Sequence, residues 1–249
     1  MKAMIFAAGI GSRLKPLTDE MPKALVPING KPMLQHVLLK LKAAGFFDIV
    51  INIHHFGGQI IQFLESNDNF KMNIVISDER DYLMDTGGGI KHAFPYLKGD
   101  EPFLVHNADI LSNVDLKAMY QHHLETDSLA TLLVSNRSST RQLLFDKSKN
   151  LCGWRNNETG EVKPAYPYID CSKLSEFAFG GVHVISPKIF EHMDEWTGKF
   201  SIINFYLSIC PKAPIRCYTT DDVELMDIGK PEALAEAGEW IKKHYLSGF

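Results

Sequence analysis

Several residues in this 249-residue chain are of types that could handle phosphate. The first group follows an apolar run near the start of the chain and reads A-A-G-I-G-S-R-L, with Ala7, Ala8, Gly9, Gly11 and Arg13. Glycines after a strand let the backbone approach a ligand closely and aim successive N–H groups at an anion. Arg13, Lys15 and Lys23 follow in a turn-rich segment stiffened by Pro16, Pro22 and Pro27. Proline removes unfolded-state freedom, which helps where a cation must be held in one place. The second group is acidic. Asp109 lies in the run F-L-V-H-N-A-D-I, after a short buried strand and beside Asn107, and Asp227 lies in E-L-M-D-I-G-K-P. Magnesium takes hard oxygen ligands, usually one or two carboxylates plus substrate phosphates. Each feature also has a plainer reading: a tight turn, solvated surface charges, and aspartates that cap or turn the chain. Spacing alone does not bring Asp109 to Asp227.

A third run, M-D-T-G-G-G-I from Met84 to Ile90, joins a strand-like segment to a helix-like one. Three glycines in series place unhindered amides near a helix N-terminus, suited to an anion or a sugar oxygen. A flexible turn is the other reading. Two familiar phosphate loops are excluded. The dinucleotide fingerprint wants a small residue where Leu14 stands and an acid after the second strand, where this chain has His54 and His55. The P-loop wants G-K followed by Ser or Thr, and Gly30–Lys31 is followed by Pro32. A nicotinamide-dependent oxidoreductase is disfavoured on the same grounds.

The elements that must position these groups alternate through the first two-thirds of the chain. Strand-like runs at Lys2 to Ala8, Ile49 to Ile53, Ile74 to Ile76, Phe103 to Val105 and Leu129 to Val134 are separated by helix-like segments. These helices are expected from Met33 to Leu41, Gln59 to Glu65, Gly89 to Leu97 and Asp115 to Glu125. Pro32 sits at the start of the first and Gly45 just past its end. Such alternation implies an α/β fold with a mostly parallel sheet and helices on both faces. Later, Leu143 to Phe145 and Cys152 to Arg155 read as a hairpin, and Phe177 to Ile185 as an apolar strand. Ser201 looks like the cap of a helix reaching about Ile209, and Pro231 opens a last helix to about Tyr245. One domain is expected over 1–249, with a nucleotide-binding part at 1–135 and a sugar-binding, second-ligand part at 136–249.

Composition narrows the partners. A net charge of -4, with no Lys/Arg block, leaves no electrostatic footprint for nucleic acid or an anionic membrane. Cys152, Cys171, Cys210 and Cys217 lack metal-site spacing and read as thiols of a reducing compartment. Ala3 to Ile10 is too short for a membrane span and lacks the flanks of a signal peptide, so a cytoplasmic location is expected.

The string AAGIGSRLKPLT…PKALVPINGKP strongly resembles the sugar-1-phosphate nucleotidyltransferases, whose signature is G-x-G-x-R followed by P-K-x-L-x-P. The resemblance implies a Rossmann-like three-layer sandwich with a mixed, mostly parallel sheet and, in this chain, no C-terminal β-helix. It implies that Ala7, Ala8, Gly9 and Gly11 line the nucleotide, and that Arg13 and Lys23 hold the triphosphate and stabilise its transition state. Asp109 and Asp227 match the family's two metal aspartates, with Mg²⁺ as cofactor, and Asn107 matches the polar residue beside the first. Ala108 replaces a usual glycine, and Lys230 stands where threonine is common. Gly87 and Gly88 would lie over base and sugar, and Glu176 and Gly181 would contact sugar hydroxyls. Packing is the competing role for Phe177 and Phe179.

The implied partners are a nucleoside triphosphate and a sugar 1-phosphate. The D-T-G-G-G run is similar to the E-T-G-G-G of a subgroup that uridylylates N-acetylmuramate 1-phosphate in cell-wall recycling. Asp78 and Glu79 could instead accept from guanine, which keeps mannose-1-phosphate guanylyl transfer as the alternative and cytidylyl transfer to a choline-like phosphate third. A non-catalytic, nucleotide-sugar-binding regulatory subunit is the rival from another class. Retention of Arg13, Lys23, Asp109 and Asp227 together argues for turnover.

Overall fold

The computed structural model describes residues 1–245, so the last four positions of the expected 136–249 part lie outside the described residues. The chain divides into two compact units. One holds Met1–Leu83, His106–Leu116 and Glu224–Phe249, and the other holds Met84–Val105 and Lys117–Val223. The units therefore interleave along the chain.

In the first unit, β1 (Lys2–Phe6), β4 (Asp48–Ile53) and β5 (Asn73–Asp78) run parallel, β1 pairing β4 and β4 pairing β5. They are linked through α1 (Met33–Ala43) and α2 (Gly57–Ser66), giving two successive strand–helix–strand units. Pro32 precedes the first helical residue as its N-cap, and Gly45, at φ 87, follows the C-cap Ala44. A short ribbon of β2 (Pro27–Ile28) and β3 (Lys31–Pro32) leads into α1. The chain returns to this unit within β6 (Phe103–Asn107) and continues as β7 (Ile110–Ser112). Near the end of the chain β14 (Leu225–Asp227) pairs antiparallel with β7, and α7 (Pro231–Tyr245) follows.

An apolar cluster underlies these late and early segments together. Leu14, Val26, Ile28, Met33, Leu111, Ile228, Ala237, Trp240 and Ile241 are buried against one another. At roughly 25 cal/mol per Å² of apolar surface removed from water, this burial is what holds five separate stretches of sequence in register.

The second unit is mainly antiparallel. β8 (Ala130–Ser135) pairs β12 (Ser175–Ile185), which pairs β9 (Arg141–Phe145), followed by β10 (Leu151–Asn156) and β11 (Val162–Pro164). β13 (Ile215–Tyr218) adds to β8 in parallel. The helices of this unit are α3 (Asp85–His92), α4 (Phe94–Leu97), α5 (Leu116–Glu125) and α6 (Ile202–Ile209). Ser201 caps α6 as expected, its Oγ accepting from the N–H of Ile203 at 3.2 Å. The helix expected at Gly89 to Leu97 is instead two. It starts earlier, at Asp85, and breaks at Ala93 before Pro95, which has no N–H for an interior helical bond.

Two buried histidines tie stability to pH. Burial pushes the imidazoles of His106 and His123 down to about 4. The folded state then binds fewer protons than the unfolded chain from pH 6.5 down to about 4. Their contribution to stability is complete above pH 6.5 and is lost as pH falls through this window. Urea unfolding should show a decline on the order of 2 kcal/mol per histidine between pH 7 and pH 5, and His123→Gln should flatten it. A stability profile level across that range would contradict the assignment.

Candidate active site

The glycine loop begins where β1 ends. Ala7 and Ala8 are buried and Gly9 is exposed. Gly11 has the left-handed φ of 71, and a Cβ there would lie 2.9 Å from both Thr18 Cγ2 and Lys23 Cβ. That close approach explains the glycine. The carbonyl of Gly11 accepts from Leu14 N–H at 2.8 Å and from the buried Thr18 Oγ1 at 2.9 Å. The loop is thereby bound to the segment that carries Lys23. This segment is not open: it forms three 3-10 turns, Ser12–Leu14, Leu17–Asp19 and Lys23–Leu25. Lys15 pairs with Asp19 at 2.8 Å on the surface.

The acidic residues arrive from the other side of the sequence. The N–H of Ala108 donates to Phe6 O at 3.1 Å, which places Asp109 beside the end of β1. Lys23 Nζ forms an ion pair with the carboxylate of Asp109, their side chains 12% and 26% exposed. In the β7–β14 ribbon Asp227 lies opposite Ile110, and Ile228 N–H donates to Asp109 O at 2.8 Å. The two aspartates are thus neighbours on hydrogen-bonded backbone. Gly229 completes the group: a Cβ there would lie 2.7 Å from Arg13 Nη2 and 2.8 Å from Asp227 Oδ1. Arg13, Lys23, Asp109 and Asp227, spread over more than 200 residues of sequence, meet in one place within the first unit. Their formal charges cancel.

Asp109 and Asp227 are the hard oxygen donors here that could hold a divalent magnesium ion, which usually takes one or two carboxylates. Among the described residues no group of three or more His, Cys, Asp or Glu could hold a metal. Asn107 is half-buried beside them, its carbonyl accepting from His106 Nδ1 at 2.8 Å. Nearby Lys40 donates to Ser112 O at 2.6 Å, and burial lowers its pKa to about 8.

The other four expected contacts belong to the second unit. The N–H groups of Gly87 and Gly88 donate to Phe200 O at 2.9 and 3.2 Å, within the first turn of α3, so the amides of these two glycines are engaged inside the unit. Close packing explains them: a Cβ at Gly87 would lie 2.4 Å from the Phe200 ring, and one at Gly88 2.4 Å from Gly198 O. Glu176 is ion-paired with Arg155, and Gly181 is buried at φ 70 in the irregular stretch of β12 between Phe179 and His183.

Two further residues act on the loop. Asn52 Oδ1 accepts from Ala7 N–H at 2.8 Å, and Asn52 Nδ2 donates to Glu79 Oε1 at 2.8 Å. A polar side chain inside the apolar run D-I-V-I-N-I is the signal that marks Asn52. Glu79 was read as a group that could face a base, but its carboxylate is buried on Asn52. Asp78 is engaged by Arg80 Nη2 at 2.6 Å.

The fold is that of a known class. Residues 2–143 match the nucleotidyl transferase family, and the chain belongs to it. It is 30% identical over 239 residues to the N-acetylmuramate alpha-1-phosphate uridylyltransferase of Caulobacter vibrioides, covering 93% of each chain. Over 121 residues it is 46% identical to the enzyme of that name from Neisseria meningitidis serogroup B, 49% of this chain and 52% of the relative. Its fold is also similar to a putative glucose-1-phosphate thymidylyltransferase from Bacillus anthracis. The TM-score is 0.79 at 21% identity, covering 96% of this chain and 94% of that one. The mixed α/β, Rossmann-like architecture is accordingly that of the sugar-1-phosphate nucleotidyltransferases, and the protein is a nucleotidyltransferase.

The close approach at Gly229 makes a test. Gly229→Ala should push apart Arg13 and Asp227 and cut turnover on the order of a hundredfold, the effect of a misplacement near 1 Å. Circular dichroism and the melting temperature should stay near wild type. Unchanged turnover would show that this contact does not set the site.

Proposed function

We propose that this chain transfers a uridylyl group from UTP to N-acetylmuramate 1-phosphate with the help of Mg²⁺, releasing pyrophosphate. The observation that carries nucleotidyl transfer is the convergence of Arg13, Lys23, Asp109 and Asp227 within one unit. The choice of base and sugar is supported by the D-T-G-G-G run and by the relatives named above. On this reading the enzyme serves cell-wall recycling in the cytoplasm. No helix among the described residues is long and apolar enough to cross a membrane.

An oxygen of the sugar phosphate attacks the α-phosphorus, a new P–O bond forms, and the α–β anhydride bond breaks. Pyrophosphate leaves with the electron pair. The nucleophile is already anionic near neutral pH, since a phosphate monoester has its second pKa at about 6. No general base is needed, and three of the four histidines in the two adjacent pairs have other contacts. His54 Nδ1 donates to Glu79 O at 2.7 Å, His123 Nδ1 bonds Thr131 Oγ1 at 2.9 Å, and His122 packs against Tyr218.

Asp109 and Asp227 would hold the magnesium, which when bound neutralises phosphate charge and orients the triphosphate. Lys23 serves Asp109 as counter-ion and is placed to move to a phosphate oxygen once a triphosphate is bound. Arg13, exposed beside Asp227, can meet the same polyanion with a planar pair of donors. Catalysis is then positioning and charge neutralisation.

A matrix of UTP, GTP, CTP and ATP against several sugar 1-phosphates, scored by pyrophosphate release, tests the proposal. UTP with N-acetylmuramate 1-phosphate should give the highest kcat/KM. A preference for GTP with mannose 1-phosphate would overturn the assignment of base and sugar, and absence of turnover throughout would favour a binding subunit. In the same assay Asp109→Ala and Asp227→Ala should nearly abolish release, and Lys23→Ala should lower turnover about a hundredfold. Full activity in either aspartate variant would remove the metal assignment.

A further inference from the structure

β1 and β4 stay paired from Lys2 opposite Asp48 to Phe6 opposite Asn52. One residue later the chain leaves the ladder for the glycine loop, and the N–H of Ala7 needs another acceptor. Asn52 supplies it from its side chain, Oδ1 accepting at 2.8 Å, while Nδ2 donates to Glu79 Oε1 at 2.8 Å. Both residues are buried, Asn52 at 3% exposure and Glu79 at 2%. An Asn amide can present oxygen or nitrogen to either neighbour. With an acceptor at Glu79, a single orientation makes both contacts hydrogen bonds. The flipped amide would set N–H against N–H at Ala7 and carbonyl against carboxylate at Glu79.

Glu79 is itself fixed through its backbone. Its N–H donates to Ile53 O at 2.9 Å, and its carbonyl accepts from His54 Nδ1 at 2.7 Å. Burying a carboxyl group is costly unless it is hydrogen-bonded, and apolar side chains fill such space at lower cost. A buried acid that locks an amide, which in turn locks the first residue of the loop, has a reason to be there.

We propose that Asn52 and Glu79 are positioning residues for the nucleotide-binding loop, Glu79 acting through Asn52. This rests on the nucleotidyl-transfer reading, in which Gly9, Gly11 and Arg13 beyond Ala7 meet the triphosphate. Loosening the start of the loop weakens triphosphate binding and leaves the sugar phosphate largely unaffected.

The amide–carboxylate pair can be broken and rebuilt. Asn52→Asp keeps an acceptor for Ala7 but sets carboxylate against carboxylate. Glu79→Gln alone still offers an oxygen to Asn52. Together the two changes reverse donor and acceptor across the pair, the new amide donating to the new carboxylate. For the triphosphate that the wild type binds most tightly among UTP, GTP, CTP and ATP, Asn52→Asp should raise Kd by calorimetry, and KM, about tenfold. The KM for sugar phosphate should stay within about twofold. Glu79→Gln should raise the triphosphate Kd about threefold, because a Gln amide no longer forces one orientation on Asn52. The double variant should stay within about threefold of wild type.

Melting temperatures separate a folding defect from this effect, and the isosteric double variant keeps the test open if Asn52→Asp alone folds poorly. A double variant no better than Asn52→Asp would overturn the inference. So would equal rises in both KM values, or an Asn52→Asp variant that binds like wild type. If the wild type binds no nucleoside triphosphate, the functional reading falls and the inference with it. Wild-type binding with an unrescued double variant removes the inference alone.

Discussion

Two carboxylates on hydrogen-bonded neighbouring backbone repel, and positive charge lying against them offsets that repulsion. The ion pair of Lys23 with Asp109 and the guanidinium of Arg13 close to Asp227 supply that charge. At 4 Å two unit charges interact by about 4 kcal/mol at an effective dielectric near 20. With side chains only partly withdrawn from water, the net effect is smaller. Lys23 is ion-paired with Asp109, and Arg13 lies near Asp227 across Gly229. On the proposed reading, a polyanion arriving with a divalent cation would draw Lys23 and Arg13 to phosphate and leave the two carboxylates to the metal.

The backbone beneath keeps that exchange local. Leu14 follows Arg13, Val26 lies three residues past Lys23, Leu111 two past Asp109, and Ile228 one past Asp227, and all four belong to the same buried cluster. Trp240 and Ile241 of α7 close this cluster from the end of the chain. Each charged group is thus carried on a short stalk from one packed core, so the side chains can change partners while their Cα positions stay put. The bond from Ile228 N–H to Asp109 O adds a direct backbone link between the acids.

The parts of this arrangement legible in the sequence were those with strong local chemistry. Pro32, Gly45, Ser201 and Pro231 marked helix ends correctly because capping and proline preferences depend on a few adjacent residues. The glycine loop and the P-K-A-L-V-P segment were readable because their residue types are unusual together. β7 and β14 were not, since three-residue strands have no periodicity to detect, yet this ribbon is what makes Asp109 and Asp227 neighbours. The packing of the D-T-G-G-G run was hidden for a related reason. Glycines that admit a phenylalanine ring and glycines that admit a phosphate look the same in one dimension, and here Phe200 occupies the space. Asn52 and Glu79 are separated by 27 residues and acquire a role only when β4 and β5 lie side by side.

Whether the two aspartates share one ion is open to direct measurement with Mn²⁺ as a paramagnetic substitute for Mg²⁺. Binding of Mn²⁺ in the presence of saturating UTP can be followed by electron paramagnetic resonance in the wild type, Asp109→Asn and Asp227→Asn. If both carboxylates ligate the same ion, each substitution weakens Mn²⁺ binding by about tenfold or more. Mn²⁺ bound with wild-type affinity by both variants would contradict the shared site.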